Sequence, residues 1–287
     1  MKANLFLIIA ACLWGLNFHL GKIILNEVGF IEAGLWRYFF GITMLLLLSI
    51  KEISSLKITT QNIKGLSLVG IVGLFGFNVF FFLGLQHSSA INAALIISLN
   101  PAITVLLSNR ILKTSISKID VFGMVLSLIG TTYLITSGSL VNLLAAHFNY
   151  GDILIFIANI FFAFHHVWVK KYNYTMSNAH FTVLTSLLCM VCFLFLIPFA
   201  DTESIVEHTS SFWLSVIGIG CFGTSLAYTF WNKGVTLTTA HTAGAFMNLV
   251  PLSTTLLSFL FHETLYQYHF IGGGIIIIGI IILNAKR

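Results

Sequence analysis

Asn17, Asn100, Asn159 and Asn248 each fall near the middle of a long apolar run. A carboxamide in hydrocarbon must bond to a neighbouring helix or face a wet cavity, because lipid offers it no partner. Taken singly, each would be an interhelical hydrogen bond worth about 0.6 kcal/mol. Four at one depth fit a shared polar cavity able to hold a small molecule. Asn78 lies somewhat off centre, and Tyr228 occupies the matching place 150 residues later. Aromatic rings accompany these groups at helical spacing: Trp14 beside Asn17, Phe75 and Phe82 beside Asn78, and Trp231 beside Tyr228 and Thr224. Rings next to carboxamides suit a substrate with an apolar body and a zwitterionic end. In a chain with 27 phenylalanines most rings are lipid-facing or filler.

His165 and His166 sit in the same run as Asn159 and Phe162. They point about 100° apart on a helix, so at most one faces a cavity squarely. Helical spacing puts Asn159, Phe162 and His166 on one stripe, whereas repeat alignment pairs His165 with Asn17, so both histidines stay as candidates. No carboxylate lies near the centre of any run. Proton coupling would therefore need a histidine, and without one the substrate runs down its own gradient. Pro101 and Pro251 interrupt two runs. Each lacks an N–H and crowds the carbonyl four residues earlier, Ile97 or Met247, giving a kink or a carbonyl free to bind an ammonium group. Cys189 and Cys192 form an isolated C-x-x-C with no second ligand pair, so neither a metal nor a cofactor is expected. His19 faces away from Asn17. Lys22 and Arg37 lie near a membrane boundary, where long cations snorkel, with a gate role as the lesser reading for either.

Composition fixes what must position these groups. Soluble domains carry about 25% charged residues; this chain has 8%, with 57% hydrophobic residues and a mean hydropathy of +0.97. Lipid is its solvent, and runs of about 20 residues select helices. Ten spans follow, at 4–25, 32–50, 65–85, 90–111, 118–137, 151–170, 179–200, 211–232, 240–262 and 267–284. The first is too long for a signal segment and is read as retained. The net charge of +5 is spread over loops, without the basic stripe that nucleic acid needs.

The chain also repeats itself. Residues 73–108 align with 223–258 without a gap, matching Gly73/Gly223, Gly84/Gly234, Ala93/Ala243 and Pro101/Pro251. This divides the chain into a first repeat (1–138), a connecting segment (139–150) that could form a short interfacial turn, and a second repeat (151–287). Five spans per repeat is odd, so the second copy is inverted, the geometry that alternating access requires. With the N-terminus inside, 12 of 14 basic residues fall on the inner side and seven of nine acids on the outer. Both termini are then cytoplasmic.

The motifs A-C-L-W-G-L-N-F at 11–18, L-W-R-Y-F-F at 35–40, S-S-A-I-N-A-A-L and S-L-N-P within 88–101, G-D-I-L at 151–154, L-A-Y-T-F-W-N-K-G at 226–234, N-L-V-P at 248–251 and H-E-T-L at 262–265 occur in this order. In them the chain resembles the drug/metabolite transporter superfamily, ten-helix type with two EamA domains. Lys113 departs from the family's acidic position, which Glu263 keeps in the second repeat; His165-His166 also departs. The resemblance implies a bacterial inner-membrane carrier with a central cavity lined by both repeats.

The expected function is a small-molecule carrier in the bilayer, a monomer or weak homodimer. Export of an aromatic or hydrophobic amino acid comes first. Threonine, homoserine and S-adenosylmethionine are other substrates in the same class. An intramembrane enzyme with His165 or His166 as base lacks a matched nucleophile or metal set. A sensor would need an output module.

Overall fold

Short polar side chains set where several helices begin. Ser117 accepts from the backbone N–H of Asp120 at 3.1 Å while the Asp120 carboxylate accepts from that of Ser117 at 2.9 Å. Asn149 and Asp152 repeat this reciprocal cap at 3.2 and 2.7 Å, and Thr209 and Thr239 cap through their hydroxyls. Each cap satisfies donors that would otherwise be orphaned at the membrane surface.

The computed structural model describes residues 2–53, 58–88, 90–144, 149–173, 176–200, 208–258 and 266–284, and among these it is built of helices without strands. Helix α1 is Lys2–Leu25 and α2 is Phe30–Ile53. Helix α3 comprises Thr60–Ser67, a π-helical stretch Leu68–Gly76, and Phe77–His87. Helix α4 is broken into Ala90–Ile97 and Asn100–Leu112. Helices α5, α6 and α7 are Lys118–Ile135, Tyr150–Tyr172 and Asn178–Leu196. Helix α8 repeats the α3 pattern, with Ser210–Gly218, a π-helical Ile219–Leu226, and Ala227–Leu237. Helix α9 is broken into Ala240–Ala245, a 3₁₀ turn Phe246–Asn248, and Leu249–Ser258, and α10 is Gln267–Asn284. The connecting segment holds a short helix, Leu140–Leu144.

Eight of these, α1 to α8, are long and apolar enough to cross a membrane, and two shorter apolar stretches, Thr242–Leu257 and Gln267–Leu283, occupy α9 and α10. Over their described residues the ten expected spans are thus helical. The spans at 90–111 and 240–262, the two that hold Pro101 and Pro251, are each divided into pieces. Pro101 stands at the start of the second piece of α4, where its missing N–H costs nothing. The motif at 262–265 with Glu263, and Asp201, Glu203, Glu207, Lys57, Lys286 and Arg287, lie outside the described residues.

Packing exchanges the two halves. Helix α1 lies on α8 and α9 as α6 lies on α3 and α4, while α2 pairs with α7 and α5 with α10. The α5–α10 seam shows the relative direction. A Cβ on Gly123 would meet the Gly279 carbonyl at 2.8 Å, and one on Gly130 would meet the Gly272 carbonyl at 2.9 Å. Rising numbers in α5 meet falling numbers in α10, so these equivalent helices run antiparallel, as inverted copies must. Small residues allow this close approach where apolar attraction between helices is weak.

Candidate functional site

Where the two halves meet, a cavity is walled by α1, α2, α3 and α4 of the first and α6, α8 and α9 of the second. Trp14, Asn17 and Phe18 come from α1, Arg37 from α2, Phe77, Phe81 and Phe82 from α3, and Ile97 from α4. Asn159 and Phe162 come from α6, Ile219 and Tyr228 from α8, and Met247 and Val250 from α9. It is narrow: the centre of a water-sized sphere can move through about 50 Å³, space for a few water molecules. Ile97 and Met247 sit at the breaks in α4 and α9, so both interrupted helices border the cavity.

Trp14 is fixed by its indole N–H, which donates to the Gly223 carbonyl at 2.9 Å. Its ring meets Phe162 and Tyr228 edge-on at 5.4 Å each and Trp231 at 4.9 Å. Phe162 in turn stacks on Phe77 at 4.4 Å. These contacts give an aromatic wall whose members hold one another's rotamers.

Asn159 ties α6 to the break in α4. Its Nδ2 donates to the Ile96 carbonyl at 2.6 Å, and its Oδ1 accepts from Asn100 Nδ2 at 2.7 Å. Thr104 donates to Asn100 Oδ1 at 3.1 Å. Beside the break the Ile96 carbonyl accepts from the Asn159 amide and the Leu95 carbonyl from the Ser98 hydroxyl at 2.6 Å, so protein groups occupy both.

Six of the residues singled out from sequence form part of the cavity wall: Trp14, Asn17, Phe82, Asn159, Phe162 and Tyr228. Others sit behind it. Asn100 backs Asn159, and His166 Nδ1 accepts from Trp231 Nε1 at 2.9 Å. The His165 ring stacks on Phe162 at 5.4 Å, and neither of its nitrogens has a hydrogen-bond partner among the described residues. Asn78 donates to Tyr38 Oη at 3.0 Å, and Asn248 donates to Ser127 Oγ at 2.9 Å, away from the wall. Phe75 packs on Phe193. It belongs to the π-helical stretch, where wider turns break the three-and-four spacing that put it with Asn78 and Phe82.

Arg37 reverses the snorkelling expectation. Only 3% exposed, it donates from Nε to Thr224 Oγ1 at 2.9 Å. Gly41 and Gly220 let α2 and α8 cross closely enough to enclose it. Phe77 and Phe81 are also wall residues that sequence reasoning passed over as filler. His19 reaches the Thr254 carbonyl of α9 at 3.3 Å.

The EamA-like transporter family model matches residues 1–136 and again 149–285. The chain belongs to the EamA-like transporter family. Relatives of this transporter include the uncharacterized transporter YyaM of Bacillus subtilis (strain 168), 29% identical over 93% of this chain and 88% of its own length. The uncharacterized transporter YetK of the same organism is 26% identical over 100% and 88%. An uncharacterized transporter of Archaeoglobus fulgidus is 25% identical over the whole of both chains. A solved crystal structure of a protein superposes with a TM-score of 0.84 over 100% of this chain and 99% of its own at 18% identity, which speaks to the fold alone. The transporter is thus a multi-pass membrane protein of two related halves around a shared cavity.

Proposed function

We propose that this transporter moves a small organic metabolite by alternating access, binding it in the cavity between its halves. An aromatic or hydrophobic amino acid leaving the cell is the favoured cargo. The reading sets the protein in a bacterial inner membrane with both termini cytoplasmic, since lysine and arginine concentrate on the face bearing the N-terminus.

One observation carries it. The wall draws on both inverted halves and on both broken helices, so exchanging the halves' conformations would expose the same pocket to either side. The aromatic surface of Trp14, Phe77 and Phe162 would receive an apolar body, while Asn17, Asn159 and Tyr228 would supply polar contacts. Asn100, His165, His166 and Trp231 would act from behind this wall, and Asn78 and Asn248 would hold neighbouring helices. The narrowness of the pocket suits a closed conformer that must widen before cargo enters.

Counterflow of radiolabelled phenylalanine into proteoliposomes tests the proposal. Asn17→Leu and Trp14→Leu should each lower the initial rate about tenfold, as expected for losing one or two polar or aromatic contacts. Their size-exclusion profile should not change. Full rates in both variants would remove the cavity from the transport route.

A further inference from the structure

Arg37 is a guanidinium enclosed within a membrane-spanning helix, seven residues from its start at Phe30. One of its donors is used by Thr224. Among the described residues no carboxylate lies within ion-pair distance of it, and no acid lines the cavity it borders. A cation so placed is costly, and such residues in membrane spans mark ligand pathways or pair with an opposite charge. Among the described residues the protein supplies it a hydroxyl and no counter-charge.

Building on the reading of this cavity as the substrate site, we infer that Arg37 is its anion anchor and that the cargo must carry a carboxylate. The remaining guanidinium N–H groups match a carboxylate in charge and in fork geometry. Rings of Phe77, Phe81 and Phe162 receive the apolar body. An ammonium group is dispensable, because the wall offers it carboxamide oxygens and a phenol but no acid. A single cation in a narrow apolar pocket suits a monoanion, whereas a dianionic phosphate would bring a second charge with no partner. A cationic cargo such as a sulfonium would meet Arg37 as a like charge.

Three probes that share a phenyl ring separate these possibilities: 3-phenylpropionate, phenylalanine and phenethylamine. Equilibrium binding to the purified full-length protein in detergent at pH 7 should favour both carboxylates over the amine by about tenfold or more. Arg37→Gln should erase that preference, and Arg37→Lys should retain most of it. Restoration by lysine separates a charge effect from a folding defect, and the melting temperature of each variant is followed alongside. Trp14→Leu should weaken the binding of the carboxylates without altering the charge preference. If phenethylamine binds as well as the carboxylates, or the preference survives in Arg37→Gln, the anchor assignment is overturned while the cavity reading stands. Failure of either carboxylate to bind at millimolar concentration also overturns it. If Trp14→Leu and Asn17→Leu bind every probe as the wild type does, the cavity reading itself fails and the anchor with it.

Discussion

Asn17 of α1 rests on Gly223 of α8 so closely that even a methyl group at 223 would overlap its carboxamide. The mirror contact is His165 of α6 on Gly73 of α3, where an added Cβ would sit 3.1 Å from the histidine Cβ. Inverted copies have thus kept the same helix crossing and changed what occupies it.

Gly223→Ala should push Asn17 out of place and cost about 1–3 kcal/mol, the usual range for overpacking a tight contact. In melting experiments on purified protein, Asn17→Ala in the same chain should recover most of the loss. An additive double variant would show that the two positions do not share that space.

Asn159→Leu should remove the side-chain donor to the Ile96 carbonyl, which keeps the Leu99 N–H at 3.1 Å, and the side-chain acceptor of the Asn100 amide, which keeps the Asn159 backbone carbonyl at 3.3 Å. Two lost hydrogen bonds, with neither group left wholly without a partner, predict a cost of about 0.5–1.5 kcal/mol each. Hydrogen exchange should rise locally at the break in α4, which a uniform loss of stability would not produce.

Antiparallel packing of α5 on α10 makes a register prediction. In a background without native cysteines, Gly123→Cys with Gly279→Cys should crosslink under mild oxidation. Gly123→Cys with Gly272→Cys should not, because the rows run in opposite directions. Crosslinking of the second pair alone would mean parallel helices and no inversion.

Acid should loosen one connection on the face opposite the N-terminus. Glu27, between α1 and α2, accepts from the Thr209 hydroxyl and from its backbone N–H at 3.1 Å, with His208 Nδ1 3.6 Å away. These contacts, the Thr209 hydroxyl foremost, hold its carboxyl below its usual value of 4.5. A lowered folded-state value stabilises above the unfolded one and is lost as pH falls through it. Wild type and Glu27→Gln should therefore differ in melting temperature at pH 6, and the gap should shrink as pH falls below 4.5. A gap unchanged over that range would show that the carboxylate plays no part.

Much of this architecture was legible in the residues because the bilayer permits few solutions. Apolar run lengths and a gapless internal match already require ten helical spans in two copies. The π-helical stretches in α3 and α8 were not legible, since glycine-rich apolar sequence serves α and π geometry alike; they displaced Phe75 from the face its spacing suggested. Pro101 marked the right place in α4, but which carbonyl it left bonded depended on Asn159 from another helix. Arg37 was misjudged by distance from the end of its run. The signal that could have found it is Gly41, one turn further along α2: a small residue there announces a close neighbour, and a cation on that side cannot reach the headgroups.

The Gly123–Gly279 and Gly130–Gly272 contacts map onto each other when the repeats trade places. A seam with that property looks alike before and after the swap, so it can serve as a fixed axle. Rearrangement then falls on contacts that differ between copies, chiefly Asn17 on Gly223 and His165 on Gly73. Under the alternating-access reading proposed above, an imbalance between those two would set which side the transporter prefers to open.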